Sequence, residues 1–124
     1  MDVISVTKRF IFYNDNHSIR ATPEALREIM DAARADTRFY DRMYKELDTI
    51  YNKLKLNLDH GTPAPDRDNY FERVGALFGI ADAMKEAHKK QLHAIQVETQ
   101  CRLALGMERP SIAEMYPETT IKRR

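Results

Sequence analysis

Hydrophobic and polar positions divide this chain into an extended start and two long helical stretches. Residues 3–13, VISVTKRFIFY, are rich in β-branched and aromatic side chains, which favour strands. In one continuous extended run, Ile4, Val6, Phe10 and Phe12 share a face, and Ile11 and Tyr13 lie on the other. Asn14-Asp15-Asn16 is a turn cluster, and His17-Ser18-Ile19-Arg20 supplies a short return strand. The expectation is a β-hairpin over residues 1–21. A lone hairpin is marginally stable, so it must pack on helices or pair with another chain.

Helical periodicity begins at Thr22-Pro23-Glu24: a capping hydroxyl, a proline at the first helical position, and an acidic side chain facing the helix dipole. Leu26, Ile29, Met30 and Ala33 follow at helical spacing. Tyr40, Met43, Tyr44, Leu47, Ile50, Tyr51, Leu54 and Leu58 continue in steps of three and four. Arg42, Lys45, Glu46, Asp48, Lys53 and Lys55 occupy the other side. This predicts a helix over 22–59, with Asp36-Thr37 as a candidate break. Tyr40, Tyr44 and Tyr51, with Phe39, read mainly as core, although tyrosine is also enriched at interfaces. Gly61-Thr62-Pro63-Ala64-Pro65 ends the helix, because proline removes a donor and restricts its predecessor. The loop spans 60–67.

Asp66 or Asp68 then caps a second long helix over 68–106, with Gly106 as its stop. Ser111-Ile112-Ala113-Glu114 matches a capping box and predicts a short helix over 111–116. A basic tail, 117–124, ends in Lys122-Arg123-Arg124. The expected fold is mainly α, at the margin of α+β: an N-terminal hairpin, two long antiparallel helices and a short C-terminal helix, in one domain over 1–124.

The start of the second helix, RVGALFGIADAMKEA, breaks the simple amphipathic pattern. Leu77, Ile80, Ala81, Met84, Ala87, Leu92, Ala94, Ile95 and Leu105 form one broad apolar side. Asp82, Glu86, Lys89 and His93 lie opposite. Gly75 and Gly79 fall on that polar side, flanked by Phe71 and Phe78, with Val74 at the margin. Each glycine costs the helix roughly 1 kcal/mol relative to alanine. A helix that is apolar all round is covered all round, and small residues four apart admit a close backbone. The expected cover is the chain's own hairpin, with Phe10 and Phe12 over Gly75 and Gly79. A second copy or another protein is the next candidate. Phe71, Gly75, Phe78 and Gly79 are therefore the candidate interface. The segment is too short, and too closely followed by charges, for dimerisation inside a membrane.

Composition narrows the classes of function. The 124 residues are 43% hydrophobic and 31% charged, as in a globular chain, and the formal net charge is only +1. Any nucleic-acid contact must therefore be local. The candidate charged contacts are Lys8 and Arg9, Lys89 and Lys90, and Lys122, Arg123 and Arg124. One cysteine, Cys101, forms no internal disulfide, and the N-terminus does not read as a secretory signal. A reducing, cytoplasmic setting is expected.

Catalytic patterns are missing. His88 and His93 are five apart and point in different directions, and one cysteine makes no zinc knuckle. The expectation is His93 in solvent, His88 at the core edge and Cys101 packed as a small residue. No glycine-rich phosphate loop or serine elbow occurs. Asp66 and Asp68 read as helix caps. No metal, cofactor, membrane or small-molecule substrate is expected, and the chain does not read as an enzyme. Three readings follow. The first is a non-catalytic interaction protein, self-associating or bound to a protein partner, as an assembly subunit or as an inhibitor covering a surface. Small chains of this kind are common among phage and mobile-element accessory proteins. The second is a nucleic-acid-associated protein using the basic clusters. The third is an enzyme whose site forms between subunits.

Overall fold

The computed structural model describes residues 2–107. The expected helix at 111–116 and the tail with Lys122, Arg123 and Arg124 lie outside them. The chain is mainly α, with a small antiparallel sheet ahead of two long antiparallel helices.

The extended start is two strands rather than one. β1 (Val3–Val6) and β2 (Phe10–Tyr13) are joined by a turn at Lys8-Arg9. Thr7 explains the break. Its Oγ1 accepts from the amides of Arg9 (3.3 Å) and Phe10 (3.0 Å), and its own amide donates to the Phe10 carbonyl (2.8 Å). A side-chain oxygen thus takes amides that a continuous strand would leave for a neighbour. The turn, with a register irregularity between Val3 and Ser5, also reassigns the faces. Val6 pairs with Ile11 on the buried face, whereas Phe10 and Phe12 stand on the open one.

β3 (Ser18–Arg20) completes the sheet order β1-β2-β3. The expected Asn14–Asn16 turn connects it to β2. Asn16 adopts φ 67°, a left-handed conformation that asparagine tolerates. Asp15 accepts from the His17 amide and ring, and the amide bond leads in holding its carboxyl below the usual range.

α1 (Pro23–His60) starts as expected: the Ala25 amide donates to Thr22 Oγ1 at 3.2 Å. The candidate break at Asp36-Thr37 does not form. Thr37 Oγ1 donates to the Ala33 carbonyl one turn back (2.9 Å), and the residue is buried in the apolar stripe. α2 (Arg67–Ala104) is capped by Asp66, whose Oδ1 accepts from the Asn69 amide at 2.7 Å. Gly106 stops it at φ 75°. The Met107 amide donates to the Arg102 carbonyl and the Gly106 amide to that of Leu103, the bond pair of a Schellman cap. Among the described residues, no helix is long and apolar enough to cross a membrane.

The packing groups into two compact units. Among the described residues, one comprises 2–39 with 90–107. Its core joins Val3, Val6 and Ile11 of the sheet to Leu26, Met30 and Ala33 of α1 and Val97 and Cys101 of α2. α2 supplies partners to the edge strand β1. Gln100 Oε1 accepts from the Val6 amide (2.6 Å), and His93 Nε2 donates to the Val3 carbonyl (2.7 Å). His93 is therefore a latch for the sheet, not the solvated residue its spacing predicts. Arg34 Nε meets Glu98 Oε1 at 2.8 Å across the two helices of this unit.

The other unit is Tyr40–Lys89, the end of α1, the loop and the start of α2. Here the Tyr44 ring meets His88 at 6.0 Å, and Arg73 Nη1 donates to the Thr62 carbonyl at 2.6 Å. Only Asp41 and Ala87 are buried in this segment. Leu47, Tyr51, Leu54, Leu77, Ile80 and Met84 are half-buried. Among the described residues of this unit, two helices bury one stripe each, without a third layer to close a core.

Candidate interaction surface

The glycine face of α2 is bare. Among the described residues, a Cβ placed on Gly75 or Gly79 would meet nothing within 4 Å. Phe71 is 53% exposed and Phe78 68%. Phe10 and Phe12, expected to cover these glycines, belong to the other compact unit. The sheet's packing face is spent on Leu26, Met30, Ala33, Val97 and Cys101, and Phe10 and Phe12 are themselves exposed.

Helical spacing makes the bare region a seam. Phe71 and Phe78, about two turns apart, share a side of α2 turned away from the half-buried Leu77, Ile80 and Met84, with Val74 at its margin. Gly75 and Gly79 lie beside this pair. Phe71 is held at its start: the Arg67 guanidinium sits 5.4 Å from its ring centre, and Tyr70 meets it edge-on at 6.0 Å. Ile50 and Leu56 of α1 are exposed in the same unit. So is Tyr44, whereas Tyr40 and Tyr51 are half-buried, so the tyrosines split between core and surface.

Tyr44, Tyr51 and Asp48 of α1 line a cleft of about 370 Å³ with Ala81, Met84, Lys85 and His88 of α2. His88 is exposed there, its ring tilted at 53° to that of Tyr44, rather than set at the core edge. Among the described residues, no group of three or more His, Cys, Asp or Glu side chains could hold a metal ion. Cys101 is fully buried. Burial first, and the Glu98 charge second, push its thiol up to about 11, so at neutral pH it is protonated and a poor nucleophile.

The charged contacts expected from the sequence have separate settings. Lys8 and Arg9 form the exposed β1–β2 turn, and Lys89 and Lys90 are exposed on α2. The fold adds Arg20 to the first pair: Arg9, Phe10 and Arg20 line one open cleft. Sequence reading missed this because the register of β2 on β3, not proximity in the chain, brings Arg20 opposite Phe10. It also missed a cleft of about 360 Å³ lined by Arg34, Arg38 and Arg102 with Met30 and Met107. The four-residue step from Arg34 to Arg38 is its one sequence signal. Comparison with known proteins adds no relative: no family model, curated protein or solved structure matches this chain.

Proposed function

We propose that this protein is a non-catalytic interaction protein, an assembly subunit that binds a second copy of itself through the outer seam of α2. The supporting observation is the pair of bare glycines beside two exposed phenylalanines. Gly75 and Gly79 weaken the helix, and among the described residues nothing packs where their Cβ atoms would be. Against another helix they permit close backbone approach. Each Phe ring fully buried there contributes about 1.5–3 kcal/mol.

A second copy suits the seam because the seam is self-complementary. In an antiparallel twofold contact, Phe78 of one copy lies against Gly75 of the other, and the reverse, so each bump meets a hollow. The unit Tyr40–Lys89 would then gain a third layer. A reducing intracellular compartment suits a chain whose single thiol is buried and unbridged.

The test is the solution mass of the full chain by light scattering across protein and salt concentrations. A dimer or larger species insensitive to salt is expected, because the seam is apolar. The double variant Phe71→Ser, Phe78→Ser should be monomeric with unchanged helical circular dichroism, since both rings are exposed. A monomer at every concentration overturns self-assembly, and a dimer indifferent to the substitutions overturns assembly through this seam. The seam would then belong to a different protein, as in an inhibitor that covers a partner's surface.

A further inference from the structure

The open face of the sheet has a composition that its packing does not use. Phe10 and Phe12 are 41% and 39% exposed, with ring centres 6.3 Å apart and planes tilted by 47°. Cross-strand register places Arg20 opposite Phe10, and Ser18 and Ser5 on either side of Phe12. All five side chains therefore share that face. Lys8 and Arg9 project from the turn that leads into β2. The adjoining cleft, about 580 Å³, is lined by Arg9, Phe10, Arg20, Ala21, Thr22 and Pro23 and contains no carboxylate.

The backbone beneath this cluster is held. The Ala21 amide donates to the Arg9 carbonyl at 2.8 Å, and the Thr22 amide to that of Arg20 at 3.0 Å. Thr7 fixes the amides of Arg9 and Phe10. Two flat rings and three cations are thus presented from an ordered edge.

We infer that this face binds single-stranded nucleic acid, with bases stacked on Phe10 and Phe12 and phosphates held by Lys8, Arg9 and Arg20. The cations alone would suit any polyanion. The rings decide between them, because an aromatic face stacks on any base, whereas an acidic peptide gains nothing comparable from it. The ring separation of 6.3 Å is nearly twice the roughly 3.4 Å rise of a stacked strand. Each ring then takes a base of its own from an unstacked strand, and duplex bases, already paired and stacked, are out of reach. The binding is independent of the α2 seam and holds for a monomer or a dimer.

The experiment is fluorescence anisotropy of a labelled oligothymidylate of about 12 nucleotides, a length within the span of small single-strand sites, titrated with the full chain. Binding is expected, weakening about 20-fold between 50 and 200 mM salt if three phosphates are neutralised. Phe10→Ala with Phe12→Ala should weaken it by at least about tenfold at constant salt. Arg9→Gln with Arg20→Gln should flatten the salt dependence instead. All four residues are exposed, and far-UV circular dichroism checks that both variants keep the fold. Failure to bind the oligonucleotide overturns the proposal. So does binding indifferent to the phenylalanine substitutions, equal affinity for a duplex of the same length, or equal affinity for polyglutamate.

Discussion

Gly61, Gly75 and Gly79 separate local backbone need from free space. At Gly61, just past the end of α1, an added Cβ would lie 2.5 Å from the Asn57 carbonyl oxygen, a backbone atom. Gly61→Ala should therefore destabilise the protein by about 1 kcal/mol or more. Gly75→Ala and Gly79→Ala should each stabilise it by about 1 kcal/mol, because the new methyl meets nothing and the helix gains propensity. Urea unfolding of the three variants, at concentrations below self-association, checks both signs. A second asymmetry belongs to the ion pair. Glu98 is 1% exposed, while Arg34 retains access to water. Arg34→Ala strands a buried carboxylate and should cost about 3–5 kcal/mol. Glu98→Gln leaves an arginine that solvent can reach and should cost less. Equal losses in thermal unfolding would show that burial does not set the cost.

Among the elements, the sheet draws on α2 as well as on its own hydrogen bonds. Its strands have three or four residues, too short to be stable alone. His93 and Gln100 satisfy backbone groups of β1, and Val97 and Cys101 fill the space under Val6 and Ile11. Replacing both His93 and Gln100 with alanine removes two bonds worth about 1 kcal/mol each and leaves backbone groups without partners. Amide hydrogen exchange should then accelerate by tenfold or more in β1 and β2 and stay unchanged in Tyr40–Lys89. Uniform acceleration would mean that the sheet and the unit Tyr40–Lys89 open together. The helices were readable in advance because their signals are local: Thr22-Pro23 and Asp66 at the starts, Gly61 and Gly106 at the stops. The sheet was readable only in part. Thr7 reads as an ordinary strand residue until its hydroxyl is seen taking the amides of Arg9 and Phe10.

At the scale of the whole molecule, the surplus of apolar surface points outward. A chain with two long helices and a three-stranded sheet encloses one modest core, and Phe71 and Phe78 are not in it. Hence the expected dimer, and hence its insensitivity to salt. Periodicity, caps and breakers along the chain were enough for the mainly α architecture, the helix bounds and the excess of apolar surface at the start of α2. Each follows from interactions within a few residues. They were not enough to say which surface covers which. The hairpin had two apolar faces to offer and α2 had two sides to receive it. Only the register irregularity in β1 and the turn at Lys8-Arg9 turn Val6 and Ile11 inward and Phe10 and Phe12 outward. That choice settles the sheet on Val97 and Cys101 and gathers Arg9, Arg20 and Phe10 at one edge. These contacts join residues up to about ninety positions apart, and a residue's neighbours along the chain carry no trace of them.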